Sequence, residues 1–264
     1  MTVVAASLAP ASPRPCLAAR QQILPLGWEP EQTLGNFETG AQGGNLQILQ
    51  AIDNLLCKQT HDALYLWGES GSGKTHLLRA ACRAAQEQGR WALMLGPHTP
   101  ASSWPDINDL LAQPAGGLLA VDDVQALAGW QQDWLFGLYN AARAADLAFL
   151  ASGDAAPIAL PLRADLRTRL SWGLALRLTP PDDAIRARVL QRLAHGCGYA
   201  LSPELLHYML THLSRDLSLL AVLMAAFDRY ALALQRPATV PLLKSLLAEQ
   251  PELLRPAQTE SASG

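Results

Sequence analysis

The stretch ALYLWGESGSGKTHLLRAACRAA, residues 63–85, joins an apolar run, a glycine-rich loop and a helical pattern. Its loop, residues 68–75, has the form G-x4-G-K-T, in which glycines let backbone N–H groups converge on a phosphate. The following helix would direct its positive N-terminal end to the same point. Lys74 would place a charge at the β- and γ-phosphates, and the Thr75 hydroxyl is a ligand for Mg²⁺. The alternative is a Gly/Ser turn with an incidental lysine, but the flanking strand and helix favour a nucleotide site.

Composition limits the classes of protein to be considered. The chain has 264 residues, 50% apolar and 16% charged, enough for an α/β core with a small second domain. A net charge of −3 gives no general attraction to nucleic acid or to an anionic membrane. No apolar run reaches the roughly 20 residues that a membrane span needs. The four cysteines are scattered without a C-x-x-C pair, so we expect a reducing, cytoplasmic location.

Both ends of the chain have the composition of tails. Residues 1–20 are rich in Ala, Pro and Ser and lack the basic start of a signal peptide, so we expect a disordered segment. A misassigned start codon and a transit peptide are the alternatives, the latter because the segment has two arginines and no acid. Residues 250–264 are expected to form a second disordered tail.

Strand and helix patterns alternate through residues 44–180. Strands are predicted at 63–67, 91–96, 117–124, 147–152 and 174–178, and helices at 45–58, 75–88, 107–111, 130–145 and 162–170. After residue 180 only helical patterns occur, at 182–198, 202–213, 214–235 and 239–249. We therefore predict an α/β domain with a parallel sheet flanked by helices, followed by a small all-α domain over residues 181–249. Within the helix at 130–145, Trp130, Trp134 and Tyr139 are interpreted as core residues, with a partner contact as the alternative and room for one of the three to be exposed.

Acidic side chains end two of the predicted strands. Asp122 and Asp123 follow the apolar run LLAV, at the strand end that lies beside the phosphate loop in a parallel sheet. Asp122 would hold Mg²⁺ through water, and Asp123 would orient or deprotonate an attacking water. After the next strand, Ser152 or Asp154 could reach the γ-phosphate or that water. The alternatives are two acids at a surface strand end and an ordinary strand-to-loop turn.

Arginines provide a further set of candidates. Arg163, Arg167 and Arg169 share a short helix, and an arginine can stabilise a transferring phosphoryl group, often across a subunit interface. A solvated basic face is the alternative, and periodicity does not choose between the two. Arg215 opens a helix of the second domain and could clamp a γ-phosphate. Its alternative is a surface ion pair with Asp216 or with an aspartate at 182.

These motifs together resemble the AAA+ ATPases of the bacterial replication initiator DnaA and, within them, the regulatory inactivators of DnaA, the Hda type. The resemblance covers residues 21–248 and implies an AAA+ P-loop sheet with a helical lid. It is carried by GKTHLL at 73–78, LLAVDDVQALAG at 118–129, SGD at 152–154, RLSWG at 169–173 and SRDLSLL at 214–220.

The resemblance also implies roles for single residues. ADP or ATP would be bound by Gly68, Gly71, Ser72, Gly73, Lys74, Thr75, His76 and Arg215. Thr75 and Asp122 would hold Mg²⁺. The catalytic positions would be Asp123 of the Walker B pair, Asp154 at sensor 1 and Arg169 at the arginine finger. Arg215 falls at sensor 2.

Two features differ from an initiator. The chain ends soon after the predicted lid, so we expect no helix-turn-helix DNA-binding domain. Residues 97–116, where an initiator is expected to carry helices that handle single-stranded DNA, contain no Lys or Arg. Because contacts to a phosphate backbone need such charges, little direct DNA binding is expected.

A third feature lies in the N-terminal arm, residues 21–43. QQILPL at 21–26 resembles the short motif by which such proteins dock on the DNA sliding clamp, the β subunit of DNA polymerase III. Gln21 would supply amide hydrogen bonds, and Leu24, Pro25 and Leu26 would fill an apolar pocket. Packing on its own domain is the alternative, and a frame that begins at Gln22 is open.

The expected function is that of a clamp-tethered regulator that stimulates hydrolysis of DnaA-bound ATP and so prevents re-initiation of replication. DnaA and the clamp would be its partners, with a homo-oligomer as a further possibility and no membrane partner. An intact Gly-Lys-Thr leaves open whether the chain hydrolyses ATP itself or binds ADP as a switch. The alternatives are an autonomous ATPase that loads a helicase or remodels a DNA complex, and a small-molecule P-loop kinase.

Overall fold

The computed structural model describes residues 32–39, 45–57, 63–214 and 216–254. Its strands are β1 (Ala63–Trp67), β2 (Ala92–Leu95), β3 (Leu118–Val121), β4 (Ala148–Gly153) and β5 (Leu174–Arg177). The helices of the first domain are α1 (Leu46–Cys57), α2 (Lys74–Glu87), α3 (Ile107–Leu111), α4 (Gly129–Ala144) and α5 (Ala164–Ser171). The second domain, the lid, contains α6 (Asp183–Gly196), α7 (Pro203–His212), α8 (Leu217–Leu234) and α9 (Val240–Glu249).

The five strands form one parallel sheet in the order β2-β3-β4-β1-β5. Because β1 lies between β4 and β5, the loop after β1 opens beside the ends of both neighbouring strands. The register pairs Trp67 with Gly153 and Val121 with Ala151, so the ends of β1, β3 and β4 meet at one edge. The predicted class, a parallel sheet flanked by helices and followed by a helical lid, is confirmed.

Alternation along β1 assigns its side chains to two hydrophobic layers. Tyr65 faces α4 and α5 in one buried cluster, and its neighbours Leu64 and Leu66 face α1 and α2 in the other. A sheet covered on both faces needs apolar residues at nearly every position, which explains why β3 and β4 read as continuous apolar runs. The covered sheet thereby supplies a rigid base for the loops at its carboxyl edge.

The lid has a hydrophobic core of its own, centred on the fully buried Phe227. The Asp182 carboxylate caps α6 by accepting from the N–H of Ile185 at 2.7 Å. Ser202 caps α7 in the same way, with Pro203 at the first helical position, as its sequence predicts.

Two sequence interpretations need correction. Within the expected C-terminal tail, Pro251–Leu254 form a 3-10 turn, because Leu253 packs on the apolar surface of the lid. Trp130 and Trp134 are 44% and 41% exposed, so they are not the core residues that their helical spacing indicated. Tyr139 is buried against Phe149 as predicted. Residues 1–31 and 255–264 lie outside the described part.

No helix in the described ranges has the length and apolar character needed to cross a membrane.

Candidate nucleotide-binding site

The glycine loop joins β1 to α2 with two left-handed glycines. Gly71 and Gly73 have φ values of 74° and 100°, a region that side-chain-bearing residues rarely adopt. Gly73 is also the N-cap of α2 and has no side chain to cap it. The first N–H groups of α2 therefore face the loop interior, as an anion site at a helix N-terminus requires.

Buried polar groups in the loop fit a phosphate ligand. The Lys74 ammonium donates to the carbonyls of Gly68 at 2.8 Å and Glu69 at 3.0 Å, and its side chain is almost fully buried. The buried Ser72 hydroxyl has no hydrogen-bond partner among the described residues. An unpaired hydroxyl beside a buried ammonium and an uncapped helix is a donor set that a nucleoside di- or triphosphate would satisfy.

Ser152 holds the two aspartates that follow β3. Its hydroxyl donates to the Asp122 carboxylate and accepts from the N–H of Asp123 at 3.0 Å. Asp123 has a left-handed φ of 46°, a backbone conformation that residues with a side chain seldom adopt. Gln125 donates to Asp123 Oδ1 at 3.1 Å. The two acids therefore have different positions, Asp122 buried beneath the edge of the sheet and Asp123 in the open cleft.

The cleft between these loops has a volume of about 430 Å³. The predicted residues that line it are Gly71, Gly73, Lys74, Thr75, His76, Asp123 and Asp154. Gly68, Ser72 and Asp122 are not among the residues that line it. Ser70, Gln125 and Asp216 line the cleft and were not predicted as site residues. In the described ranges no group of three or more His, Cys, Asp or Glu side chains forms a metal site. Thr75 and Asp122 are the residues that could hold Mg²⁺ together with phosphate oxygens.

Tyr65 supports the end of β4 beneath the cleft. Its hydroxyl donates to the carbonyl of Ala155 at 2.8 Å. Burial raises the pKa of this phenol strongly, and the nearby charges of Asp154 and Asp123 add to the rise. Tyr65 therefore remains a neutral donor and fixes the chain on either side of Asp154.

Gly153→Ala is expected to destabilise the fold by about 1–3 kcal/mol. A Cβ at this position would lie 2.0 Å from the Tyr65 hydroxyl oxygen, so the phenol would have to leave the Ala155 carbonyl. The measurement is the free energy of unfolding in urea. Gly129→Ala is the matched control, because its Cβ would meet open space in the described structure. Adding Tyr65→Phe should recover part of the loss; an unchanged midpoint for Gly153→Ala alone would contradict this packing.

A segment before α1, residues 33–38, lies across the loop, and we call it the strap. The Phe37 ring approaches to 2.7 Å from where a Cβ of Gly73 would be. His76 Nε2 lies 3.0 Å from the carbonyl oxygen of Thr33, and burial lowers the pKa of this histidine, so a neutral ring donates to the carbonyl. The Glu38 carboxylate forms ion pairs with two arginines of α6, Arg188 and Arg192. The strap thus connects the loop to the lid.

The lid also contacts the loop at the start of α8. The Ser70 hydroxyl donates to the Asp216 carboxylate at 3.2 Å. A Cβ on Gly71 would lie 3.0 Å from Asp216 Cα, so a glycine is needed for this close approach. Arg215, the predicted lid arginine, lies outside the described residues.

Arg169 lies apart from the cleft. Its guanidinium carbon is 4.1 Å from the centre of the Trp172 ring and 5.6 Å from that of Phe136. It does not line the cleft that contains Lys74 and Asp123. The structure therefore brings together the loop, the two strand-end acids and Asp154, and places this arginine on another face of the domain.

Sequence comparison decides the family. Residues 183–247 match the family model described as "Hda, lid domain". An uncharacterised protein of Haemophilus influenzae is 31% identical over 233 residues, which cover 86% of this chain and 98% of the relative. The chain belongs to the DnaA-like AAA+ proteins of the Hda type. The resemblance found at residues 152–154 and 214–220 therefore agrees with the family that the comparisons show.

Solved structures agree with the fold of this Hda-type chain. Domain III of the Thermotoga maritima replication initiation protein DnaA superimposes with a TM-score of 0.68 at 22% identity, covering 86% of this chain and 99% of that one. A DnaA bound to AMPPCP and single-stranded DNA gives a TM-score of 0.64 at 20% identity, covering 85% and 70%. At these identities the likeness establishes the AAA+ architecture.

Proposed function

We propose that this chain is a clamp-tethered AAA+ regulator that stimulates hydrolysis of ATP bound to DnaA and so prevents re-initiation of chromosome replication. The observation that supports this most directly is the position of Arg169, which is remote from the chain's own cleft and held on the partly exposed Trp172. An arginine so placed can reach a phosphate only on a neighbouring molecule. There it would stabilise the charge that develops on the transferring phosphoryl group.

The chain's own cleft would hold ADP or ATP with Mg²⁺. The bound nucleotide would supply negative phosphates opposite Lys74, Ser72 and the N-terminus of α2. Because Asp216 of the lid and Phe37 of the strap both contact the loop, an occupied loop would stabilise one lid position. A nucleotide-bound DnaA of the same fold supports this assignment.

The chain would reach newly replicated DNA through the sliding clamp. This part of the proposal rests on Gln21, Leu24, Pro25 and Leu26, which lie outside the described residues. Tethering would raise the effective concentration of the chain near DnaA at the same location. DnaA and the clamp are thus the proposed partners.

An autonomous ATPase is the second candidate, and one observation favours it. The cleft retains Lys74, Asp123 and Asp154 around one space, with Gln125 holding the Asp123 carboxylate. Those groups are sufficient to orient a water for hydrolysis in the chain's own site. Such an enzyme would turn over ATP without DnaA.

The test is hydrolysis of ATP preloaded on DnaA, measured with this chain and with or without clamp loaded on DNA. The double variant Leu24→Ala and Leu26→Ala should lose at least about tenfold of the clamp-dependent stimulation, because the apolar contacts that tether the chain are gone. Leu17→Ala, outside the motif, is the control and should behave as the unmodified chain.

Two results would contradict the proposal. Stimulation that does not require the clamp would remove the tethering step. Rapid ATP turnover by the chain alone, with no effect on DnaA, would establish the autonomous ATPase.

A further inference from the structure

Two arginines from different helices meet on one exposed indole. Arg143 lies in the last turn of α4, and its guanidinium carbon is 5.8 Å from the centre of the Trp172 ring. Arg169 of α5 is 4.1 Å from the same ring, which is 55% exposed. The two guanidinium carbons are therefore within about 10 Å of each other, near enough to bind separate phosphates of one polyphosphate. Both charges also oppose the rise that burial causes in the pKa of Tyr139.

Neither guanidinium has a carboxylate partner in the described structure. Most other arginines of the first domain do have polar partners, such as Arg83 with Glu87, and Arg163 with Asp133 and Asp165. No described Asp or Glu lies within ion-pair distance of Arg143 or Arg169. The pair is thus a local concentration of unneutralised positive charge.

The groove beside Arg143 contains one cation and no described acid, with polar and apolar lining residues. It has a volume of about 690 Å³ and runs from Arg143 and Trp172 to the outer face of α1. Its polar lining is the amides of Gln47, Gln50 and Asn54, together with Tyr139, and none of its described lining residues is acidic. Amide donors and the Arg143 guanidinium, with no carboxylate in the described lining, form a surface that suits an anion, and Arg169 lies beside it on Trp172.

Physical chemistry favours an anionic ligand between these groups. Two like charges within about 10 Å of each other repel weakly at a surface, and the electron-rich face of Trp172 attracts both guanidiniums. A multiply charged anion would neutralise both guanidiniums at once and would accept paired N–H donors from each.

We infer that Arg143 is a second phosphate-binding residue beside Arg169, and that the two bind the polyphosphate of a nucleotide held by a neighbouring AAA+ protein, with Trp172 as the positioning residue for both. This inference rests on the proposed function. Arg169 would contact the phosphoryl group that is transferred, and Arg143 the phosphates that stay behind. A nucleotide on a partner is favoured over DNA because the surface has two cations, whereas binding a nucleic-acid backbone relies on several.

The experiment measures single-turnover hydrolysis of ATP preloaded on DnaA, at saturating chain and with clamp on DNA. Arg143→Ala should slow the stimulated reaction at least about tenfold, the effect of losing one charge-assisted contact. Arg143→Lys should retain part of the rate. Arg163→Ala, whose guanidinium is neutralised by two carboxylates, is the matched control and should stay within about twofold of the unmodified chain.

Trp172 is tested by Trp172→Phe and Trp172→Ala. The first keeps an aromatic face and should retain most of the stimulated rate, whereas the second should lower the rate without changing the chain's own affinity for ADP. An equal loss for both variants would contradict a positioning role through the ring. Circular dichroism and thermal melting would verify that every variant is folded.

The variants distinguish a failure of this inference from a failure of the proposed function. If the unmodified chain does not stimulate hydrolysis on DnaA, the proposed function fails. If Arg169→Ala keeps full stimulation, the role assigned to Arg169 fails and this inference fails with it. If Arg169→Ala loses it and Arg143→Ala does not, only the present inference is overturned. A loss of DNA binding by Arg143→Ala, with unchanged stimulation, would also overturn it and identify DNA phosphates as the ligand.

Discussion

Replacing Arg169 by alanine is expected to slow the stimulated hydrolysis of DnaA-bound ATP by a factor of roughly 10³–10⁵. This is the effect of an arginine that one protein supplies to the nucleotide of its neighbour. The guanidinium is the only group of this size and permanent charge that the proposal places at the transferring phosphoryl group. Its own chain's cleft should be unaffected, because Arg169 packs on Trp172 and Phe136 and does not line that cleft. Affinity for ADP and for the clamp should therefore remain within about twofold of the original values.

The measurement is the single-turnover rate of hydrolysis on DnaA, with ADP affinity of the variant measured in parallel. Arg167→Ala is the matched control: it lies on the same helix, and its guanidinium points to the carbonyl of Ile158. Arg169→Lys should recover little, since an ammonium lacks the planar pair of donors and the stacking surface. Normal stimulation by Arg169→Ala would show that this arginine is not the group that acts on the partner.

The sheet and most helices could be predicted because their signals are local. Each buried strand is a short apolar run, and the glycine loop after β1 fixes where α2 begins. The five-residue α3 was predicted at its observed bounds, and the structure adds that Asp106 is its N-cap. Local chemistry of this kind needs no knowledge of the rest of the fold.

The strap could not be predicted, because its contacts join distant parts of the chain. Glu38 pairs with Arg188 and Arg192 across separations of 150 and 154 residues. In the sequence Phe37 is one aromatic residue in a polar segment, and only its proximity to Gly73 shows that it covers the loop. Contacts between residues so far apart in the chain leave no periodicity or motif in the sequence.

The ends of β3 and β4 show a second limit of sequence reasoning. From the sequence, either Ser152 or Asp154 could contact the γ-phosphate or the attacking water, whereas the structure gives the two residues different positions. Ser152 is fully buried and holds Asp122 and Asp123, and Asp154 is exposed at the cleft. The strand register that separates them is set by pairing of β4 with β1 and β3, which a single segment does not reveal.

Lys74→Ala is expected to weaken binding of ADP and of ATP to this chain by about 100-fold, the effect of one or two charge-assisted contacts to phosphate. The Lys74 ammonium is held by the carbonyls of Gly68 and Glu69, so it is positioned at the proposed phosphate site. Its loss would leave the neutral donors of the loop, such as the Ser72 hydroxyl and the uncapped α2 N-terminus, which attract an anion less strongly. Isothermal titration with ADP and with ATP measures the effect directly.

The same variant tests whether the chain's own nucleotide controls its action on DnaA. If an occupied loop stabilises the lid through Asp216 and the strap through Phe37, Lys74→Ala should also lose stimulation although Arg169 is intact. Lys244→Ala, on the outer side of the lid where its ammonium lies over the Tyr208 ring, is the matched control for removing a lysine. Weak nucleotide binding with full stimulation would separate the two sites, whereas a joint loss would mean that the arginine face acts only when the loop is filled.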